Sequence, residues 1–284
     1  MDIFAQRRVR NVLTGNYGSV FKGRSLDFDD LREYNYGDDV KDIDWKATAR
    51  SRSVMIRRYV AVRKHNILLV ADSGNTMAAL APSGESKREV ATFCAGVMAY
   101  VAQHHNDFVG MVYGNKSENK RFMLKEDTAY IENFLDKYHK SLAISGSDSD
   151  LNSLLTYISK SYRERSFLIV ISDADGISHI NTELVRKLHA RHEIMVIIVE
   201  DSPLTNKRLF SYDTVDVDGR LRLSRYFREN KKIAKAEEKY REAQRVGIRK
   251  TLRRMGIVCC FVDSVNHAIP RIVTMLEEQK HVRR

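Results

Sequence analysis

Prolines, cysteines and long apolar runs are all scarce in this 284-residue sequence. Only three prolines interrupt recurring aliphatic blocks, which excludes a disordered chain because such blocks bury enough apolar surface to fold. Three cysteines, two of them adjacent, cannot form a disulfide framework and favour a reducing compartment. No apolar run approaches the roughly 20 residues that cross a bilayer, and the charged first residues lack the apolar segment of a signal peptide. We therefore expect a cytoplasmic protein without a membrane span.

The charge balance is basic, since 48 Lys and Arg against 37 Asp and Glu give a formal net charge of +11. Much of the excess lies near the N-terminus and in the segment 231–254. A basic surface can attract nucleic acid or an anionic membrane face. The segment has no series of aromatic residues suited to stacking on bases, so a solvated helix face is favoured. Nucleic-acid binding stays the alternative for this segment.

Strand-like and helix-like patterns alternate over about 200 residues, as in βαβ folds. Continuous aliphatic runs predict strands buried on both faces at 67–71, 109–113, 167–171, 194–199 and 257–262. Apolar residues at helical spacing predict helices at 86–103, 128–139, 149–162, from about 181, and at 268–278. Parallel strands require such helical crossovers. The sequence thus predicts an α/β fold, with a doubly wound, mostly parallel sheet and helices on both faces.

Two parts of the chain do not follow this alternation. Residues 1–60 are charged and precede the first buried strand, so they are predicted to form an N-terminal arm on an α/β domain spanning 61–284. Residues 201–255 form an insertion before the last strand, with a hairpin predicted around Asp218 and Gly219. The insertion ends in the long basic helix.

Oxygen-bearing side chains follow the predicted strands at their carboxyl ends, where ligands gather in doubly wound sheets. Asp72 and Thr76 follow the first strand, Asp173 follows the strand at 167–171, and Ser149 opens a helix. Carboxylate and hydroxyl oxygens are the ligands that Mg²⁺ prefers. The alternative is that the same side chains cap helices and close turns.

The order of these residues resembles the metal-ion-dependent adhesion site of von Willebrand factor A domains. The resemblance implies a magnesium site formed by Asp72, Thr76, Ser149 and Asp173. Gly74 departs from the pattern, which has a serine there, and the loss of one neutral ligand weakens such a site without abolishing it.

A longer motif lies at residues 31–50, which read LREYNYGDDVKDIDWKATAR. This segment resembles the signature of the domain-of-unknown-function fifty-eight family, approximately LREY-x-x-GDD-x-x-x-IDW-x-x-x-AR ahead of a von Willebrand A-like domain. The resemblance implies a bacterial cytoplasmic protein that works with a MoxR-type AAA+ ATPase or with a client of that ATPase. The biochemical function of the family is not established.

The signature segment combines a turn composition, an apolar pair and several charges. Gly37 begins the turn, and Ile43 and Trp45 are predicted to dock on the α/β domain. Arginine–carboxylate pairs would hold the segment in shape. Alternatively, its charged side chains form a surface for a partner, and the candidates are Arg32, Asp38, Asp39, Asp44 and Arg50.

The leading functional hypothesis is a non-enzymatic protein-interaction module, an adaptor whose Mg²⁺ would be completed by an acidic residue of the partner. A second hypothesis is a metal-dependent phosphoesterase or nuclease, with Asp72, Asp173 and Asp175 holding a cation that activates water. A third is nucleic-acid binding through the basic helix. No Walker A, zinc-protease or serine-hydrolase motif is present in the sequence.

Overall fold

The computed structural model describes residues 7–20, 28–51, 53–59, 64–206, 214–215, 222–223 and 229–282. The chain divides into two compact units. One, the sheet unit, comprises Met1–Val20 and Asn66–Arg284, and the other, the signature unit, comprises Phe21–His65. This division differs from the predicted arm over 1–60, because the first helix, α1 (Arg7–Val20), packs against helices of the sheet unit.

The signature unit is built on an antiparallel pair of strands, β1 (Phe28–Glu33) and β2 (Met55–Tyr59). Between them lie a 3-10 turn and a short helix, α2 (Trp45–Thr48). Ile43 forms a bridge with Ile56, but the Trp45 side chain is 67% exposed. Trp45 is the first residue of α2, and the docking of Ile43 and Trp45 on the α/β domain stays a prediction.

The sheet unit contains a six-stranded sheet. Its strands are β3 (Asn66–Asp72), β4 (Phe108–Gly114), β5 (Asn119–Lys125), β6 (Phe167–Asp173), β7 (Glu193–Val199) and β10 (Val258–Val262). The strand order is β10-β7-β6-β3-β4-β5, and all neighbouring strands are parallel except β4 and β5, which pair antiparallel. The sequence did not predict β5, because this edge strand carries three cations and no continuous aliphatic run.

Helices cover both faces of this sheet, which confirms the predicted doubly wound α/β fold. The helices are α3 (Lys87–His104), α4 (Thr128–Ser141), α5 (Leu151–Ser161), α6 (Ala174–Ser178), α7 (Thr182–His189), α8 (Lys231–Arg254) and α9 (Val265–Val282). One face of the sheet packs under α5, α7 and α8, and the other under α3, α4 and α9. The short helix α6 follows β6 directly.

The insertion before the last strand has the predicted pattern. Strands β8 (Thr214–Val215) and β9 (Arg222–Leu223) pair antiparallel, as expected for a hairpin. The turn predicted at Asp218 and Gly219 lies outside the described residues. The basic segment is the single helix α8, which begins after the cap residue Asn230.

Candidate functional site

Two buried carboxylates lie side by side where the central strands end. Asp72 is the last residue of β3 and Asp173 the last residue of β6, and these strands are paired in parallel register. Both side chains are almost completely removed from solvent. A Cβ atom placed on Gly176 would lie 3.4 Å from Asp173 Oδ1 and also 3.4 Å from Asp72 Oδ2. These two oxygens are therefore separated by at most twice that distance. The predicted gathering of the strand-end loops is therefore present.

Asp72 is held by hydrogen bonds from two loops and from strand β6. Its Oδ1 accepts from the Gly74 amide at 2.8 Å, and its Oδ2 accepts from the hydroxyls of Ser172, at 2.8 Å, and Ser149. Burial raises the pKa of Asp72 above its ordinary value, the Ser149 hydrogen bond opposes the rise, and the nearby Asp173 charge adds to it. No ion pair joins Asp72 to a cationic side chain of the described part of the chain.

Gly74 occupies a position with no room for a side chain. A Cβ atom there would lie 2.5 Å from both Cα and N of Ser149, well inside van der Waals contact. The serine that the adhesion-site pattern expects is thus absent for a steric reason, since the backbone of the Ser149 loop fills its space.

A lysine that the sequence analysis missed lies at the centre of the site. Lys87 is fully buried, and its Nζ donates to Asp173 Oδ2 at 3.0 Å and to Asp201 Oδ1 at 2.5 Å. Burial acts to lower the pKa of Lys87, but the two carboxylates outweigh it and raise the pKa above its ordinary value. The amine therefore stays an ammonium at neutral pH.

Asp173 is ionised because donors surround both of its oxygens. Its Oδ1 accepts from the Gly176 amide at 2.9 Å, while its Oδ2 faces Lys87. Burial acts to raise the pKa of Asp173, yet the Lys87 ammonium and the Gly176 amide outweigh it, so the pKa lies below its ordinary value. For Asp201, burial and the Asp173 charge win over Lys87, and the pKa is raised.

The remaining predicted ligand is Thr76. Its hydroxyl lies near enough to Asp173 to help lower the pKa of that carboxyl. Its Oγ1 atom is nevertheless buried without a hydrogen-bond partner of acceptable geometry among the described residues. A buried hydroxyl in this state is a donor or acceptor available for a further ligand.

The basic helix α8 positions the loop that carries Asp201. Arg241 donates to the Asp201 backbone carbonyl at 2.5 Å, and Arg245 pairs with Glu200 at 2.6 Å. Glu237 accepts from the amides of Leu204 and Thr205. Arg241 and Arg245, which belong to the basic segment, therefore contact groups of the same chain.

The residues of the site fit a divalent ion only in part. The oxygens of Asp72, Ser149 and Asp173 and the unpaired Thr76 hydroxyl are the donor types that Mg²⁺ takes. Against this, Asp173 already neutralises the Lys87 ammonium, and Gly74 supplies no ligand. No group of three or more His, Cys, Asp or Glu side chains suited to a metal forms among the residues described.

The three-carboxylate site of the phosphoesterase hypothesis is therefore not formed. The Asp175 side chain is largely exposed and lies 3.4 Å from His179 on the surface of α6. The physical reason is that α6 begins directly after Asp173 and turns its own first-turn carboxylate outward.

The charged candidates of the signature unit shape its backbone. Arg32 pairs with Asp38 at 2.6 Å, and that hydrogen bond is the main cause of a lowered Asp38 pKa. Asp39 caps the 3-10 turn, and Asp44 caps α2 by accepting from the amides of Lys46 and Ala47. Arg50 follows α2 and is exposed. A role of these residues in partner binding stays a prediction.

Three groups at the strand ends were not predicted, namely Lys87, Asp201 and Ser172. One signal was available for Lys87, since a cation in the first turn of a long helix opposes the helix dipole and needs a compensating anion. Ser172 could have been noticed as the neighbour of Asp173. Asp201 had no such signal, because its contact with Lys87 joins residues far apart in the sequence.

Exposed aliphatic side chains lie on the three loops that contribute Gly74, Ser149 and Asp201 to the buried cluster. Leu80, Ile144 and Leu204 lie on three strand-end loops and are 40%, 63% and 40% exposed, respectively. Between two of these loops is a cavity of about 530 Å³, lined by Ala78, Ser86, Arg88, Leu142, Ala143, Ile144 and Ser145. We call these three side chains and the cavity the strand-end surface.

Comparisons with known proteins place the chain in a family. The family described as "Protein of unknown function DUF58" matches residues 30–216. The uncharacterized proteins Rv1480 of Mycobacterium tuberculosis and Mb1516 of Mycobacterium bovis are each 25% identical over 205 residues, which cover 71% of this chain and 63% of the relative. The chain thus spans less than two thirds of the length of these relatives.

Solved structures to which the chain is similar are more distant in sequence. An aerotolerance-related membrane protein from Bacteroides fragilis is 14% identical with a TM-score of 0.45, covering 75% of this chain and 99% of its own. A von Willebrand factor type A protein from Catenulispora acidiphila is 9% identical with a TM-score of 0.43, covering 78% and 44%. In the described part of the present chain, every helix is too short or too polar to cross a bilayer.

Proposed function

The chain belongs to the DUF58 family, and we propose that it is a non-enzymatic protein-interaction module whose strand-end surface binds a protein partner. The partner that the family resemblance implies is a MoxR-type AAA+ ATPase or a client of that ATPase. The protein would then act as an adaptor in the cytoplasm.

The observation that carries this proposal is the set of exposed aliphatic side chains on the strand-end loops. Exposed apolar groups clustered beside a cavity and bordered by polar residues are typical of protein-binding surfaces. Leu80, Ile144 and Leu204 each come from a different loop, so the surface exists only when the sheet is folded. The neighbouring Arg88 adds a cationic group to the cavity.

Backbone hydrogen bonds fix these loops to one another, which favours binding without large rearrangement. The Asn75 amide donates to the Ser147 carbonyl at 2.9 Å, and the Ser202 amide donates to the Leu80 carbonyl at 2.7 Å. A surface that is ordered before binding loses less conformational entropy on association. The buried polar cluster beneath it supports the loops from inside.

The magnesium ion expected at Asp72, Thr76, Ser149 and Asp173 stays a prediction. The proposed interaction does not require it, because the proposed contact is made by exposed aliphatic side chains and by a cavity whose lining contains none of these four residues. Binding measured with and without EDTA separates the two questions.

The experiment is a binding titration between the purified protein and the purified MoxR-type ATPase of the same organism. Ile144→Asp and Leu80→Asp are expected to weaken binding at least about tenfold, because they place a charge in the apolar contact. Met123→Asp is the control, since Met123 is 53% exposed but lies in the middle of the edge strand β5. Equal binding by all three variants would contradict the proposed surface, and no binding by the unaltered protein would contradict the proposed partner.

A further inference from the structure

The strand-end site contains its own buried cation. Lys87 is the first residue of α3, its side chain is fully buried, and its ammonium lies between Asp173 and Asp201. A buried lysine is retained as an ion only where carboxylates compensate for the lost hydration. Here two carboxylates from the ends of different strands do so.

The position of Lys87 is unfavourable apart from these two contacts. The first turn of a helix carries a partial positive charge, which repels a cation. The backbone amide of Lys87 donates to the Ala79 carbonyl at 2.8 Å, which fixes the start of the helix against the loop that follows β3. The side chain is thereby directed to the strand ends despite the helix dipole.

Helix α8 holds Asp201, the second of these carboxylates, in place. Arg241 of α8 donates to the backbone carbonyl of Asp201, and Glu237 binds the amides of Leu204 and Thr205 further along the same loop. The loop therefore presents Asp201 to Lys87 from outside, while Asp173 contacts the ammonium from inside.

From this geometry we propose that the Lys87 ammonium is the resident cation of the strand-end site and takes the place of a divalent metal ion there. Asp72 and Asp173 are the carboxylates among the four predicted metal ligands. Both oxygens of Asp173 already accept hydrogen bonds from donors of the chain. A divalent ion bound to Asp173 would lie next to a fixed ammonium, and the two cations would repel each other. The Thr76 hydroxyl, for which the described residues supply no hydrogen-bond partner, is the observation that favours a metal, and the experiment therefore compares the two cations.

The test measures thermal unfolding of the full chain with millimolar Mn²⁺ or with EDTA. The unaltered protein is expected to unfold at the same temperature in both. Lys87→Met leaves Asp173 and Asp201 unpaired and is expected to lower the unfolding temperature in EDTA by about 10 °C, because a broken buried ion pair is strongly destabilising. Mn²⁺ is expected to restore part of that loss, since it can then occupy the freed carboxylates.

Two further variants complete the design. Lys116→Met is the matched control, because Lys116 pairs with Asp148 at 3.3 Å but both side chains are mostly exposed, so no change is expected. In the double variant Lys87→Met, Asp201→Asn, Asp173 is the only carboxylate of the pair that loses its cation. This variant replaces Lys87→Met if the single variant does not fold.

The outcomes decide for or against Lys87. A rise in the unfolding temperature of the unaltered protein with Mn²⁺, lost in Asp72→Asn, would overturn the proposal whether or not the lysine variants fold. A folded lysine variant that does not respond to Mn²⁺ would also overturn it. Because the readout is the unfolding of the protein alone, the result is independent of the proposed partner.

Discussion

A side chain at Gly74 is predicted to destabilise the protein even though the adhesion-site pattern has a serine at that position. Gly74 has φ −66° and ψ 162°, a conformation open to any residue, so backbone strain is not the reason. The reason is space, since an added Cβ would lie 2.5 Å from the backbone of Ser149. The backbone cannot rotate away as a flexible side chain could, and the Ser149 loop would have to move.

The expected loss for Gly74→Ala is about 3 kcal/mol of unfolding free energy, at the upper end of what overpacking costs. For a chain of this size, that loss corresponds to a fall of about 5–10 °C in the unfolding temperature. Gly74→Ser is expected to lose a similar amount of stability, because serine has the same Cβ atom as alanine and this atom meets the same backbone.

Far-ultraviolet circular dichroism is the suitable assay, because the helices that it detects lie mainly in the sheet unit. The single tryptophan, Trp45, belongs to the signature unit, so its fluorescence would report on the wrong part of the chain. Gly247→Ala is the matched control. Nothing lies within 4 Å of a Cβ atom there, in the interior of α8, so alanine is expected to stabilise the protein by about 0.5–1 kcal/mol.

Unfolding of Gly74→Ala and Gly74→Ser at the same temperature as the unaltered protein, while Gly247→Ala shows its gain, would contradict this prediction. That result would mean that the Ser149 loop yields without cost and that the missing serine has no steric cause. If Gly74→Ser were also stabilised by Mn²⁺, the adhesion-site interpretation would replace the steric one.

Further predictions concern the charges and the loop beneath the strand-end surface. The pKa of Asp72 is raised on folding, so its contribution to stability is lost as pH rises through the raised value. In EDTA, the unfolding free energy of Asp72→Asn relative to the unaltered protein should therefore increase from about pH 4 to pH 7, and parallel curves would contradict this. The pKa of Asp173 is lowered on folding, so its contribution to stability is present at pH values above the ordinary aspartate pKa and is lost as the pH falls below it. Asp173→Asn should therefore show the opposite trend. Glu237→Ala removes the acceptor of the Thr205 amide, which should then exchange its hydrogen faster, and unchanged exchange would show that α8 does not hold the loop.

The family and the fold were accessible from the sequence because both depend on local patterns. The signature at 31–50 is contiguous, and the family match over 30–216 confirms what it indicated. Continuous aliphatic runs predicted the five parallel strands, which are buried on both faces. Strand β5 was not predicted, because an edge strand needs no continuous aliphatic run. Helix α6 was not predicted, because a helix this short has no periodic pattern of apolar residues.

The gathering of Asp72, Thr76, Ser149 and Asp173 could also be predicted, since parallel strands end at a common edge. Hydrophobic periodicity is encoded locally, so the strands and the side chains that follow them could be predicted from the sequence. The balance of the buried charges depends on contacts that form only in the folded chain. Lys87 meets Asp173 and Asp201 across 86 and 114 residues of chain, and the Ser149 backbone fills the space beside Gly74. Burial of a charge and exclusion by a neighbouring backbone depend on which segments meet in space, and no local pattern contains that information.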